Sequence, residues 1–384
     1  MHTAETTDIA IIGGGPVGSA LALSLRESGL QIVLLEARSS ATGDARPLAL
    51  SHGSRLILER LGAWTELAAG ATPICNIHVS QRGGFGRAGL GAPEVGLPAL
   101  GYVVDYGRLA EALERVVAGT SLLECRTGAR VTQWQGGDQP RIDYEVNGAA
   151  KEFNARLIVV ADGGVAQAVE SESVDYRQQA VTARVVSERT HNNTAYERFT
   201  RHGPLAMLPD GDGWALVWTT SPERARMLCA SNEADFLEQL QAEFGARVGR
   251  FVAVSRRKSY PLVFRQMRHS SPEGVVFVGN AAQTLHPVAG QGFNLGLRDA
   301  WELGELVSRQ HKPEIGTRQW QHLYETRRRL DRRAGAGFTH GLVQLFSNDL
   351  LPLRWGRGMG LALLGSMPPL KNFLIRRMVF GARG

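Results

Sequence analysis

Cysteine is scarce in this chain of 384 residues: Cys75, Cys125 and Cys229 lie far apart, and no Cys/His spacing resembles a zinc site. A disulfide scaffold and a structural metal are therefore not expected, and the thiols read as free groups in a reducing compartment. Long apolar runs are missing as well, since none approaches the roughly 18 residues that a spanning helix needs. The first residues, with Glu5 and Asp8 ahead of a short strand, carry neither the basic n-region nor the apolar h-region of a secretory signal. Cytoplasmic residence is the expectation. The net charge of +6 is not arranged as a basic patch interleaved with aromatics, which argues against nucleic acid as a partner. Internal repeats and low-complexity tracts are also absent, and after Asp349 there is no acidic residue at all.

What remains is an ordinary globular composition, 43% hydrophobic and 21% charged. At roughly 100–200 residues per domain, the length suits one large or two intertwined domains. The chain opens with an apolar run, Asp8 to Ile12, that leads into Gly13-Gly14-Gly15-Pro16-Val17-Gly18. Ser19 to Ser28 has helical composition, and Gln31 to Leu35 is a second apolar run closing on Glu36. This is a strand, helix, strand unit with GxGxxG spacing and an acid about 20 residues on, the pattern of a dinucleotide site. Gly13 permits the turn, Gly15 lets backbone approach a pyrophosphate and Gly18 lets the helix pack closely, with Pro16 counted among the cofactor-binding residues. The helix N-terminus offers N–H groups to the anion, and Glu36 can accept from a ribose hydroxyl.

A second glycine-rich segment follows the buried run Val275 to Val278. It reads Gly279-Asn280-Ala281-Ala282, continues through His286-Pro287, and reaches Gly290-Gln291-Gly292-Phe293-Asn294 at the start of a predicted helix. Backbone rather than side chain can approach a flat ligand there, which suits a flavin. Between the two motifs, helices are expected over Ala49–Gly62 and Tyr106–Ala118, and strands over Arg130–Gln135, Ile142–Val146 and Phe153–Val160, the last running into Ala161-Asp162-Gly163. From Ala180 to Arg268 the segments turn β-rich, with one helical interval at Glu233–Phe244. The expected fold is α/β: a Rossmann-like FAD-binding domain (1–70, 101–179, 269–345), an inserted mixed β-sheet substrate domain (71–100, 180–268) and a C-terminal helical segment (346–384).

This set of motifs resembles the single-component FAD-dependent aromatic hydroxylases over the whole chain. Glu197-Arg198-Phe199-Thr200, Gly203-Pro204-Leu205-Ala206-Met207-Leu208-Pro209 and Asn280 in place of the usual aspartate bring it near the ubiquinone-biosynthesis hydroxylases. The resemblance implies bound FAD, NAD(P)H as a transient co-substrate, and hydroxylation of a polyprenylated phenol by a C4a-hydroperoxyflavin and O2, with 2-polyprenyl-6-methoxyphenol as the ring. It further implies that Arg38, Arg46, Arg108, Val131, Asp162, Gly279, Asn280, Gly290, Gln291, Gly292 and Asn294 join the glycines and Glu36 around the cofactor. His286 and Pro287 would lie beside the flavin near the substrate. Leu205, Met207, Trp218 and Phe264 are candidates to line an apolar substrate cavity, equally readable as plain core. Relatives often carry Ser and Arg shortly after the Asp-Gly pair, where Ala166 and Glu170 stand here.

The same FAD frame serves reductases and oxidases that insert no oxygen, and an accessory flavoprotein of a quinone-biosynthesis assembly is a further alternative. The stretch after Asp349, where Arg354, Arg357, Lys371, Arg376, Arg377 and Arg383 alternate with apolar segments, has the composition of an interfacial element. It predicts either peripheral contact with the inner face of the cytoplasmic membrane or a helix pair packed on the body. Other ubiquinone-biosynthesis proteins are the expected partners.

Overall fold

A computed structural model describes residues 5–39, 44, 46–164, 171–267, 271–285, 290–346 and 351–382. Its first layer is a parallel sheet in the order Leu123–Thr127, Ile32–Glu36, Thr6–Ile12, Ala149–Val160, Val275–Phe277. The central strands read as continuous apolar runs because both faces are covered. Ile9 and Ile11 face Leu21, Leu113 and Leu303 from the helices Pro16–Ser24, Tyr106–Ala118 and Gln291–Ser308. Ala10 and Ile12 face Trp134 and Tyr144 from the strands Arg130–Gln135 and Arg141–Val146. The strand Ala149–Val160 belongs to both arrangements. Its first half pairs antiparallel with Arg141–Val146 and its second half parallel with Thr6–Ile12.

The second layer is a nine-stranded mixed sheet running Gln283–Thr284, Lys258–Met267, Ser171–Ser187, Gly213–Thr220, Gly203–Asp210, Thr194–Thr200, Asn76–Gln81, Arg87–Gly91, with Phe251–Val254 also beside Ser171–Ser187. It begins at Ser171, ahead of the expected boundary at 179, because this strand is 17 residues long and continues through it. One face is closed by the helices Pro222–Ala230 and Glu233–Phe244. The first of these two helices was not expected; Pro222 at its start and the Ser221 Oγ, which accepts from Arg224 N, mark it locally. The expected helix over Ala49–Gly62 divides into a strand, Pro47–Ser51, and a helix, His52–Leu61. Ser51 is the hinge: its Oγ accepts from Ser54 N at 3.1 Å and caps the helix.

The C-terminal segment forms two helices, Leu351–Ser366 and Pro368–Phe380, after a long helix over Arg318–Phe346. Ile375 and Val379 are buried against Leu90 and Leu100, and a Cβ added at Gly86 would meet the Gly358 carbonyl at 2.1 Å. Among the described residues no helix is long and apolar enough to cross a membrane, no cluster of His, Cys, Asp and Glu has metal-binding form, and the three cysteines are free.

A buried ionic cluster joins the helices Gln291–Ser308 and Arg318–Phe346 to the turn at Gly279. Asp299, fully buried, accepts from Arg328 Nε at 2.7 Å and from Gly279 N at 3.3 Å, and pairs with Arg332 at 3.1 Å. Arg328 also reaches Asp331 at 2.8 Å, and Asp331 in turn takes Arg298 and the amide of Ala382. Burial opposes the charge on Asp331, but Arg298 and Arg328 outweigh it and hold the carboxyl at about 2. Two outcomes follow. Asp299→Asn leaves Arg328 without its central counter-charge and costs about 3–5 kcal/mol in urea unfolding. Asp331, lowered from 3.8, contributes on the order of 2 kcal/mol that is present above pH 4 and lost as pH falls toward 2, so the wild type and Asp331→Asn converge in stability in acid.

Candidate functional site

The loop after the first strand shows why glycine occupies its positions. Gly13 has φ 102°, and a Cβ there would lie 2.7 Å from the Ala161 carbonyl oxygen. A Cβ at Gly18 would lie 1.9 Å from the Gly13 oxygen, so helix and turn are in backbone contact. At Gly15 the result is opposite: a Cβ would meet nothing within 4 Å. Gly15 opens on a cavity of about 1240 Å³. Gly15 is also the N-cap of Pro16–Ser24, with no side chain capping the helix and no acid in its first turn. The free N–H groups and the positive end of the helix dipole therefore face the cavity.

The same cavity receives a second helix end. Gly290, at φ 60°, is the N-cap of Gln291–Ser308, which again has no side-chain cap, and Gly292 leaves the space beside it open. Two uncapped helix N-termini from distant parts of the chain thus converge on one volume. Such ends attract anionic or electron-rich groups, each typically by a fraction of a kcal/mol to about 2.

Glu36 lies between them and the edge. Its Oε2 accepts from Gly14 N at 2.8 Å, and its Oε1 accepts from Arg38 N and Nε, both at 2.8 Å. Burial would raise its carboxyl, but the hydrogen bonds from Arg38 and Gly14 prevail and hold it below the usual carboxylate range. Arg46, stacked 4.5 Å over the Tyr106 ring and paired with Asp44 at 3.0 Å, also borders the cavity. Asp162 Oδ1 accepts from Gly164 N at 2.7 Å, an Asx-type turn that sets the loop at the end of its strand. Pro16, Val131, Asp162, Gly279 and Asn280 complete this part of the wall.

Several expected residues stand elsewhere. Arg108 does not border the cavity; its amide is capped by Asp105 at 3.1 Å and its guanidinium lies against Gly70. Gln291 lines a small neighbouring cavity and donates to the Met378 carbonyl at 3.4 Å. Asn294 is spent on the scaffold: Oδ1 accepts from Ser51 N at 2.8 Å and Ser54 Oγ at 2.7 Å, while Nδ2 donates to the Ala49 and Gly290 carbonyls. It sets the Gly290 turn rather than reaching into the space. Gly18 likewise acts through packing.

Leu205, Met207 and Trp218 are buried on the other face of the second sheet, against Leu228, Phe236 and Leu240. The cavity wall is formed by their neighbours of opposite parity, Glu197, Ala206, Leu208 and Val217. The run Leu205-Ala206-Met207-Leu208 is apolar on both faces, so alternation gave no sign, and the unforeseen helix Pro222–Ala230 covers the side with the larger residues. Phe264 packs on Leu285, Leu295 and Ala336. His286, Pro287, Ala166 and Glu170 lie outside the described residues.

Three features of the wall were not foreseen. Ile77, Val79 and Leu90 enter from the hairpin of Asn76–Gln81 and Arg87–Gly91. Leu361, Leu364, Leu374 and Met378 enter from the C-terminal helices, so that segment roofs the cavity. Glu197, part of a motif noted only for its resemblance, brings a carboxyl to the otherwise apolar sheet side. Its Oε1 is sealed with no hydrogen-bond partner among the described residues, and burial pushes it up to about 7.

The residues present fit FAD: a turn where only glycine is tolerated, open space beside Gly15, two helix ends for the pyrophosphate and the flavin ring, and a continuous cavity between them. Two substitutions separate packing from binding. Gly15→Ala keeps the thermal midpoint of the apoprotein and weakens FAD binding by about tenfold or more, the added methyl occupying ligand space. Gly18→Ala instead lowers the midpoint sharply with or without FAD, because the methyl meets backbone.

Residues 6–330 match the model of a family described as FAD binding domain. The ubiquinone hydroxylase UbiL of Rhodospirillum rubrum is 33% identical over 97% of this chain and 89% of its own length. The 3-demethoxyubiquinol 3-hydroxylase of Escherichia coli is 30% identical, covering 94% of this chain and 95% of that protein. Among solved structures, p-nitrophenol 4-monooxygenase PnpA from Pseudomonas putida superposes with a TM-score of 0.79 at 16% identity, over 99% of this chain and 100% of that one, a likeness of fold. The glycine cradle, the two converging helix ends and these relationships agree: the chain belongs to the FAD-binding ubiquinone-hydroxylase family of flavoprotein monooxygenases.

Proposed function

We propose that this protein hydroxylates the ring of a polyprenylated phenol in ubiquinone biosynthesis, with 2-polyprenyl-6-methoxyphenol as the substrate, FAD as resident cofactor and NAD(P)H as a transient reductant. The observation that carries the reading is the single cavity of about 1240 Å³, whose one end is the nucleotide cradle and whose other end is sheet and C-terminal helix. Cofactor and a bulky apolar ring can share one water-poor space. The cavity supports the domain division, with the parallel sheet as the cofactor half and the mixed sheet as the substrate floor.

FAD, when bound, supplies the redox chemistry and the activation of oxygen. The chain's own residues do the remaining work. Gly13, Gly15 and Gly18 admit the pyrophosphate to the helix end at Pro16. Glu36, oriented by Arg38, keeps unused acceptor capacity for a ribose hydroxyl, since a carboxylate has about four lone-pair sites. Arg46, Val131, Asp162, Gly279 and Asn280 would hold the cofactor along the cavity wall, and Gly290 and Gly292 would offer the second helix end, which favours negative charge, to its flavin part. Ala206, Leu208, Val217, Leu361 and Leu364 exclude water from the reacting face, which favours oxygen transfer over release of hydrogen peroxide.

The C-terminal helices give a route for a greasy substrate. Their inner side chains line the cavity, and Trp355, Met359, Leu363 and Met367, spaced four apart, are exposed on the outside together with Leu370 and Phe373. The basic component is thinner than composition predicts. Among the described side chains Arg357 is buried, Lys371 pairs with Glu94, Arg377 lies over the Phe373 ring at 5.1 Å and Arg376 is exposed; Arg354 and Arg383 lie outside them. The proposed membrane contact is therefore mainly apolar.

Two experiments test this reading. Given oxygen, NAD(P)H and a short-chain 2-prenyl-6-methoxyphenol, the FAD-loaded protein is expected to yield a product heavier by one oxygen, its position fixed by fragmentation. NAD(P)H oxidation that yields only hydrogen peroxide would favour a flavoprotein that inserts no oxygen. Trp355→Glu with Phe373→Glu should reduce co-sedimentation with anionic liposomes while FAD stays bound; unchanged sedimentation would remove the membrane contact. Point changes on the outer face suit this purpose better than truncation, which would unroof the cavity.

A further inference from the structure

Glu197 sits where the pattern of its strand calls for an apolar residue. Its cross-strand neighbours on the cavity face are Val79 and Ala206, with Val217 one strand further, and Leu361 and Leu364 pack over Val79 from the roofing helix. The charged side chains elsewhere on the cavity wall, Glu36, Arg38, Arg46, Arg130 and Asp162, come from the nucleotide-binding elements. Arg198, its chain neighbour, turns to the opposite face and donates to the Glu243 carbonyl, and His78 packs there on Tyr196. Burial is the single cause of the raised carboxyl, with no cation offsetting it. A carboxyl left without a partner in such a place costs stability that an apolar residue would not. What it gains must come from something that enters the cavity.

We infer that Glu197 is a catalytic residue that accepts a hydrogen bond, and then the proton, from the hydroxyl of the phenol substrate. This rests on the function proposed above and names how that site recognises its ring. The phenol O–H bond breaks, its proton passes to a Glu197 oxygen, and the electron pair stays on the phenol oxygen, where it enriches the ring. The ring carbon then forms its bond to one oxygen atom of dioxygen, which FAD reduced by NAD(P)H would activate, as the O–O bond breaks and its electron pair stays with the other oxygen. The proton lost from that ring carbon passes to this second oxygen, which leaves as water, while Glu197 returns its own proton to the phenol oxygen, restoring aromaticity, and is ready for another turnover. A carboxyl near 7 is a better match to a phenol than an ordinary glutamate, because proton transfer improves as the two affinities approach. The hydroxyl also fixes which carbon faces the flavin, since the carboxyl on the sheet wall anchors the acidic proton of the ring.

The test compares FAD-loaded wild type, Glu197→Gln and Glu197→Leu. Each is titrated with geranyl-6-methoxyphenol while the flavin spectrum and the phenolate absorbance are followed, and product is then measured against hydrogen peroxide. Wild type should bind with an affinity that changes across about pH 6–8 and should show phenolate in the complex. Glu197→Gln should bind about tenfold more weakly, lose the phenolate band and the pH dependence, and hydroxylate about 100-fold more slowly with peroxide as the main product, at an unchanged rate of flavin reduction. Both variants should melt at or above the wild-type temperature, since an unpaired buried carboxyl has been removed. If wild type hydroxylates and Glu197→Gln matches it in affinity, pH profile and product yield, the inference is overturned and the function stands. A large fall in melting temperature for Glu197→Leu would equally overturn it, marking the carboxyl as structural. If wild type itself neither binds nor hydroxylates the phenol, the proposed function fails and the inference fails with it.

Discussion

Asp299 is the point on which the two halves of the site depend. It sits in the middle of the helix Gln291–Ser308, accepts from the amide of Gly279, and neutralises Arg328 and Arg332 from the long helix Arg318–Phe346. Arg332 also donates to the Phe277 carbonyl, so the last parallel strand, the turn after it and both helices share one electrostatic centre. Isolated, each of these charges would be expensive inside the protein; together they are satisfied, and their positions are fixed. The Gly279 turn and the helix end at Gly290, both on the cavity wall, inherit that fixity. Through Asp331 the same cluster holds the amide of Ala382, which ties the end of the roofing helices to the core.

The cofactor end of the cavity is built largely from backbone ends, whereas its sheet side carries the one carboxyl of Glu197 among apolar side chains. Where the cofactor belongs, the wall offers helix N-termini, glycines and turns, which cost nothing to reorganise as charge develops. Where the ring belongs, it offers aliphatic side chains from a sheet face and a helical roof. The two regions meet because the strand Ala149–Val160 serves the parallel sheet, and the next strand, Ser171–Ser187, crosses to the mixed sheet.

The roof has two faces with different physics. Inside, Leu361, Leu364, Leu374 and Met378 pack on the cavity; outside, Trp355, Met359, Leu363 and Phe373 meet solvent. Apolar residues all around a helix mark an element that is buried on every side, here by protein on one and, under the proposed function, by lipid on the other. Of the two readings of the C-terminal composition, the packing on the body is what the two helices display, and the interfacial one belongs to the proposed function.

Local signals determined the nucleotide half. Strand, glycine turn, helix and closing acid are all consecutive in the chain, and Gly13, Gly15 and Glu36 are where spacing places them. The second motif was legible for the same reason as far as Gly279, Asn280 and Gly290. Sequence alone did not separate residues that touch the cavity from residues that shape it: Asn294, Gln291 and Arg108 carry suitable groups, yet tertiary partners occupy or redirect them. It also left Leu205, Met207 and Trp218 readable as cavity lining or as core, because both faces of those strands are apolar and only the packing of two helices makes them core. Glu197 gained its character from the same decision. A glutamate in a strand draws no notice by composition, and only the fold, by turning its parity toward an enclosed apolar space, removes the water that would otherwise have kept it an ordinary carboxylate.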